Sequence, residues 1–159
     1  MAIDSSFNVE AFGAAQFEGA NDTRFLRIEP KEYRAVIIGP FGEDKKTRLR
    51  TSDKGFLMLD VVWAPEDEIQ RVALGVERLP YVRQTVFLDV TPQGGLDMSP
   101  FKNSDLGRLR EALGLNTEGQ RWSFNDFIGR AGLITVEQKP NEKDSANPYT
   151  NVKSVTRAS

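Results

Sequence analysis

The stretch GFLMLDVVW at residues 55–63 is the clearest indication of the fold that this chain adopts. Every second position from residue 57 onward is apolar, which is the pattern of a strand with one face buried. Those positions are Leu57, Leu59, Val61 and Trp63. The positions between them are chemically mixed, and they are Phe56, Met58, Asp60 and Val62. We therefore predict a strand whose first face lies in a core and whose second face points outward.

Alternating apolar positions predict four further strands, one before this stretch and three after it. They cover residues 32–38, 81–90, 131–138 and 149–155. A helix is predicted over residues 104–113, because Asn103 or Ser104 can cap its start and Gly114 ends it. A capping pattern at residues 123–126 predicts one further helical turn. The chain is therefore predicted to be all-β, with one to two short helices.

The connection between the second and third predicted strands is harder to assign. Residues 65–68 read as a turn with solvated acids. In residues 69–79 the apolar positions have helical spacing, but Gly75 interrupts them. The sequence therefore predicts an insertion without a defined secondary structure at residues 69–79.

Residues 1–24 are small and polar and form an N-terminal arm or tail in front of a domain at residues 25–159. The arm contains Phe7, Phe12 and Phe17, whose spacing fits neither a strand nor a helix. Two interpretations stay open. The arm docks on the domain or on a partner, or it is a mobile tail.

The composition excludes several classes of chemistry. The chain has no cysteine and no histidine, so it has no disulfides, thiolate nucleophiles, zinc–sulfur sites or histidine-based catalytic arrangements. Its 21 basic and 23 acidic residues give a net charge of −2, which argues against a protein that coats duplex DNA through bulk charge. Neither a signal-peptide pattern nor an apolar run of membrane-spanning length occurs, so we expect a cytoplasmic protein without a membrane contact. Gly-rich nucleotide-binding patterns are absent too, and no cofactor or metal is predicted.

The predicted order of three strands, a helix and two more strands is the plan of an OB-fold, a five-stranded barrel with its helix between strands three and four. Such barrels commonly bind single-stranded nucleic acid on the outward face of strands one to three. Here that predicted face carries Arg34, Val36, Phe56, Met58, Arg83, Thr85 and Phe87. Rings can stack on bases and guanidinium groups can pair with phosphates. The alternative is that Phe56 and Phe87 are covered by the arm or by a dimer partner.

The two loops that flank such a face in an OB-fold carry further candidates. The first loop has five cations and one acid between residues 45 and 54, which predicts phosphate binding, although a solvated loop is the ordinary alternative. Its cations are Lys45, Lys46, Arg48, Arg50 and Lys54. The second flanking loop contributes Tyr149 with Lys139 and Lys143, and nearby acids dilute its charge.

Over residues 27–157 the chain resembles the OB-fold single-stranded DNA-binding proteins of bacteriophages. The resemblance rests on KGFLMLDV at 54–61, NSDLGRLREALG at 103–114, and IGRAGLI at 128–134 together with the last predicted strand. It implies non-enzymatic, sequence-independent coating of single-stranded DNA during phage replication or recombination, in the host cytoplasm. It also implies other replication proteins as partners, and a homo-oligomer stays open. The basic end of the chain departs from the acidic tail by which many such proteins recruit partners.

Two other functions are compatible with parts of the sequence. An OB-fold used for protein contact, such as a phage assembly or host-inhibitor module, fits the net acidity and the N-terminal arm. A metal-dependent nuclease would use Glu137-Gln138-Lys139 with Asp60 or Asp89 as a second carboxylate, but so short a motif is common by chance. The sequence does not separate DNA from RNA, because contacts to the 2′-hydroxyl leave no compositional signal.

Overall fold

The computed structural model describes residues 3–158, which form one six-stranded antiparallel sheet and three short α-helices. The strands are β1 (Glu32–Ile37), β2 (Arg48–Thr51), β3 (Leu57–Glu66), β4 (Val82–Phe87), β5 (Ala131–Lys139) and β6 (Tyr149–Arg157). The helices are α1 (Val9–Ala14), α2 (Glu68–Leu74) and α3 (Ser104–Ala112), and a 3-10 turn covers Phe124–Phe127. The prediction of a mainly β chain is confirmed, and α3 lies between the third and fourth of the predicted strands.

Strand β3 is the centre of the sheet because both of its edges are paired. One edge pairs with β4, from Met58 opposite Phe87 to Trp63 opposite Val82. The other edge pairs first with β2 and then with β1. Strands β1 and β2 therefore lie end to end along β3, and residues 38–47 form the connection between them.

Thr47 occupies the junction between β1 and β2. Its side chain is fully buried, and its hydroxyl oxygen accepts the backbone N–H of Val62 at 3.0 Å. The Thr47 N–H in turn donates to the carbonyl of Ile38 at 3.4 Å. The Thr47 hydroxyl thus replaces the backbone hydrogen bond that the Val62 N–H of β3 would otherwise lack in the gap between β1 and β2.

The sheet curves around its core without closing through backbone hydrogen bonds. Its order is β2-β3-β1-β5-β6, with β4 on the second edge of β3. Strands β4 and β6 approach each other, and α3 packs against both. A cavity of about 260 Å³ lies between these three elements. The described ladders therefore do not confirm a closed five-stranded barrel.

The core lies between the inward faces of the strands and α3. Trp63 is completely buried, and its indole N–H donates to the side-chain oxygen of Gln84 at 3.0 Å. Tyr33, Ala35 and Ile37 of β1 are buried as their alternation predicts. Leu59, Val61 and Trp63 of β3 are buried in the same way. Gly132 of β5 lies against the Trp63 ring, where a Cβ would come within 3.1 Å of the indole.

Two connections differ from the predictions. The loop before β3 contains β2, whose alternating basic residues gave no apolar pattern to detect. The predicted turn at residues 65–68 is wrong, because β3 continues to Glu66 and Asp67 caps α2 by accepting the Gln70 N–H at 3.0 Å. The helical spacing that follows does form a helix, which ends where Gly75 adopts φ 69°.

The N-terminal arm makes a small aromatic cluster of its own. Phe7, Phe12 and Phe17 pack in sequence with ring centroids 5.2 Å apart, and no residue from 3 to 24 is buried. The first links to the body are made to Asn147: its side-chain amide donates to the carbonyl of Thr23 at 3.3 Å, and its Oδ1 accepts the Phe25 N–H at 2.6 Å. Ile28 is the first buried residue. No helix within residues 3–158 is long and apolar enough to cross a membrane.

Replacing Thr47 with valine should lower the free energy of unfolding by about 1–3 kcal/mol, because the buried Val62 N–H loses its acceptor while the volume barely changes. Urea unfolding measures this. Thr51→Val is the matched control, since Thr51 is an exposed residue of β2, and it should shift stability by less than about 0.5 kcal/mol. Equal losses in both variants would contradict a structural role for the Thr47 hydroxyl.

Candidate nucleic-acid interface

The side chains of β2, β3 and β4 that point away from the core form one continuous surface, which we call the outer face. Strand register arranges it in rows across the three strands. One row is Arg48, Asp60 and Thr85, and the next is Arg50, Met58 and Phe87. Arg83 lies opposite Val62, and Phe56 stands at the end where β3 begins.

A buried carboxylate lies at the middle of the outer face. The side chain of Asp60 is only 3% exposed, and it forms an ion pair with the Arg50 guanidinium. The Thr85 hydroxyl donates to Asp60 Oδ1 at 3.0 Å, and Arg83 Nη1 lies 3.9 Å from Oδ2. An unpaired carboxylate would be costly in this position. Asp60 therefore holds Arg50 in place and neutralises part of the charge of Arg50 and Arg83.

Two aromatic rings stand free at one end of the outer face. Phe56 and Phe87 are 58% and 59% exposed, and their rings meet edge to face with centroids 6.4 Å apart. A tight turn positions Phe56, because its N–H donates to the Ser52 hydroxyl at 3.0 Å and Gly55 adopts φ 85°. Phe87 is the last residue of β4. Both rings are open to solvent in the described chain.

The connection between β1 and β2 is anchored at its base, and its two lysines, Lys45 and Lys46, are matched by two acids, Glu43 and Asp44. Phe41 stacks on Phe124 with centroids 5.9 Å apart, which ties this segment to the 3-10 turn. Arg48 pairs with Asp44 at 3.3 Å, and Lys46 Nζ lies 5.5 Å from the centroid of the Tyr81 ring.

The remaining cations of the predicted basic loop, Lys45 and Lys54, are exposed. Within residues 3–158 neither has a carboxylate partner within 4.0 Å. The positive charge is smaller than residues 45–54 alone predict, because Asp44 and Asp60 lie just outside that stretch and bind two of its arginines.

The structure does not gather every predicted residue in one place. Arg34 pairs with Glu66 at 3.0 Å, at the far end of β3. Eight residues of strand separate Met58 from Glu66, or roughly 27 Å. Tyr149 is 52% exposed and lies opposite Lys139, where β5 runs beyond the start of β1. Both residues therefore lie far from the Phe56–Phe87 pair.

Met58 lies on the outer face but is 4% exposed, so the prediction that it stands open to solvent is wrong. Its neighbours in register are Arg50 on one side and Phe87 on the other, and both have longer or broader side chains. Val36, another member of the predicted face, is half-buried in β1.

Sequence reasoning missed the part that Asp60 plays in organising the outer face. A lone carboxylate within an apolar strand, ten residues after an arginine in a basic segment, is the signal that could have indicated an ion pair. The other carboxylates of the nuclease hypothesis are also engaged: Asp89 accepts the Asn103 N–H at 3.0 Å, and Glu137 lies 3.4 Å from Lys139 Nζ. No cluster of three potential metal ligands occurs among residues 3–158.

Asp60→Asn should cost about 1.5–3 kcal/mol of stability, because the amide cannot replace the charge-assisted bond to Arg50 in a buried position. The midpoint of urea unfolding measures this loss. Asp105→Asn is the control, since Asp105 pairs with Arg108 at 2.8 Å with both side chains more than 70% exposed, and it should cost at most about 1 kcal/mol. A neutral Asp60→Asn variant would mean that the outer face does not depend on this carboxylate.

No known family model matches the sequence, and a search of curated proteins returns no significant similarity. The family resemblance described above therefore stays a prediction. The function that we propose for the chain rests on the geometry of the outer face and the chemistry of its residues.

Proposed function

We propose that this chain binds single-stranded DNA without sequence preference and without catalysing a reaction. The observation that carries the proposal is the pair of exposed rings, Phe56 and Phe87, at the end of a face that also presents arginines. Exposed rings beside cations are what a sequence-tolerant single-strand groove requires.

We further propose that the sheet is an OB-fold with one added strand. Without β2, the pairings are β1 with β3, β3 with β4, β1 with β5, and β5 with β6. That order, with α3 placed before the fourth strand, is consistent with the five-stranded plan. The approach of β4 to β6 supports the same interpretation.

Stacking supplies the sequence-independent part of the binding. Every base has a flat π-face, so a ring can accept any of the four, and each such contact contributes about 1–3 kcal/mol. The edge-to-face arrangement of Phe56 and Phe87 leaves more than half of each side chain available. The two rings would hold neighbouring bases of one strand.

Cations in the loops at the two ends of β2 would hold the backbone. Lys45 and Lys54 are free to contact phosphates, and Arg48 is only partly exposed beside Asp44. Arg50 binds Asp60 through Nε, so its terminal N–H groups stay available for a phosphate oxygen. Neutralising several phosphates in this way releases counterions and makes affinity fall with salt.

The setting that the family resemblance implies is phage DNA replication or recombination, in which unpaired strands have to be kept from annealing. A strand long enough to cross the whole sheet would also reach Arg34, and Tyr149 would serve as a further contact on the second flanking loop. We also propose that the chain associates with other replication proteins and with copies of itself.

A second candidate function is protein contact, as in an assembly or inhibitor module. The observation that favours it is the arm: residues 3–24 contain four acids and one basic residue, Arg24, which pairs with Asp22 at 2.7 Å, and their three rings lie on the surface. The acids are Asp4, Glu10, Glu18 and Asp22. An acidic segment of this kind suits a basic protein partner better than it suits nucleic acid.

Titration of a fluorescein-labelled oligo-dT into the full chain at 50 mM and 200 mM salt separates the two functions. If about three phosphates are neutralised, single-strand affinity should fall roughly 20-fold between these conditions. Parallel titrations with RNA of equal length and with duplex DNA measure the preference for unpaired DNA. Absence of binding at 50 mM salt would contradict the proposal and favour protein contact.

Phe87→Ala should weaken binding roughly 5- to 150-fold on every base sequence tested, because the lost interaction is stacking. Phe25→Ala is the matched control, since its ring is 73% exposed but lies beside the connection between β5 and β6. The control should bind like the parent. A loss confined to one base sequence, or equal losses in both variants, would argue against stacking on Phe87.

A further inference from the structure

The chain that follows Phe87 forms a short hairpin just beyond the end of β4. The N–H of Leu88 still donates to Leu57 of β3 at 3.0 Å, so the next residue directs its backbone groups to the opposite side. There the carbonyl of Asp89 accepts the Asp97 N–H at 2.9 Å, and Val90 forms an antiparallel bridge with Leu96. The returning segment therefore lies beyond the end of β4, on the side of residues 89–90 that faces away from β3.

Hydrogen bonds between Asp89 and Asn103 fix the end of this segment. The Asp89 N–H donates to Asn103 Oδ1 at 2.7 Å, and the Asn103 N–H donates to Asp89 Oδ2 at 3.0 Å. The side-chain amide of Asn103 also donates to the carbonyls of Asp89 and Asp97, both at 2.9 Å. Residues 97–103 are thus tied to the chain two residues after Phe87.

Phe101 lies within this tied segment and is 98% exposed. Its φ of 68° is in the left-handed region, which is unfavourable for a residue with a Cβ and is normally taken by glycine or asparagine. The ring buries nothing that would offset this cost. Neither local backbone preference nor core packing explains a phenylalanine here, and strained residues of this kind concentrate at functional sites.

We propose that Phe101 is a third stacking ring for single-stranded nucleic acid, placed next after Phe56 and Phe87 along a path that crosses β3 and β4. The inference rests on the proposed function and extends its binding surface. The Cα atoms of Phe87 and Phe101 lie within roughly 20 Å of each other, because each is two residues from the Asp89–Asn103 contact. Lys102 is exposed beside the ring and adds a cation for the backbone.

Attachment to the end of β4 is the reason to assign nucleic acid to this ring, because the Asp89–Asn103 hydrogen bonds tie its segment to the chain two residues after Phe87. Val90 and Met98, which lie between Phe87 and Phe101 in the chain, are 50% and 66% exposed and add apolar side chains to this segment. A short strand would be held by Phe56 and Phe87 alone. A longer one would gain the third contact, so Phe101 should determine how many nucleotides the protein covers.

The test compares Phe101→Ala, Phe101→Trp and the parent on an oligo-dT length series, in the full chain at 50 mM salt. Phe101→Ala should bind the longest oligonucleotides at least about five-fold more weakly and the shortest ones as the parent does. Phe101→Trp should keep parental affinity at every length. Ile69→Ala is the control, because Ile69 is 86% exposed on α2, and it should change nothing.

Phe101→Gly separates binding from folding. Glycine tolerates the left-handed backbone, so this variant should unfold at a temperature no lower than Phe101→Ala, yet show the same loss on long oligonucleotides.

If Phe101→Ala matches the parent at every length while Phe87→Ala is weakened, the third contact is refuted and the proposed function stands. If Phe101→Ala only changes the mass in solution, the ring serves self-association and the inference also fails. If the parent binds no oligonucleotide, the proposed function and the third contact are both refuted.

Discussion

Strand β3 hydrogen-bonds along both edges, and the core and the outer face both depend on that pairing. Its inward side chains end in the buried Trp63, while its outward ones meet side chains of β2 and β4 in register. The arrangement requires a change of partner halfway along one edge. The hydroxyl of Thr47 makes that change possible, because it accepts the one β3 amide left between the two partner strands.

Asp60 connects the stability of β3 to the chemistry of its outer face. A carboxylate in this buried position has to be paired, and its partners Arg50, Arg83 and Thr85 come from the two neighbouring strands. The pairing lowers the net positive charge of the face. It also fixes the Arg50 guanidinium, so less side-chain entropy would be lost when that group meets a phosphate. The lysines at the loop tips stay free to add salt-dependent affinity.

The exposed rings are the feature of this surface that the stability of the fold explains least. Phe56, Phe87 and Phe101 leave more than half of their area in water, and Phe101 also holds an unfavourable backbone conformation. Folding alone would favour smaller or polar residues at these three positions. The single-stranded nucleic acid that we propose as ligand would account for all of them, because bases have flat apolar faces. The acidic arm, with its own aromatic cluster, would suit a different kind of partner.

Local periodicity by itself determined where most strands lie and which face of each enters the core, as Tyr33, Ala35 and Ile37 show, because alternation records burial directly. It also determined α3 and the glycine that follows it, although the predicted cap does not form, because the Asn103 side chain bonds to Asp89 and Asp97 and not to the start of the helix. Only the tertiary structure decided that residues 48–51 form a strand, that Met58 is covered, and that Arg34 lies far from Phe87. These depend on which strands pair and in what register. The tie between the segment of Phe101 and the end of β4 depends on the same kind of pairing, because its hydrogen bonds join residues fourteen apart that no local pattern encodes.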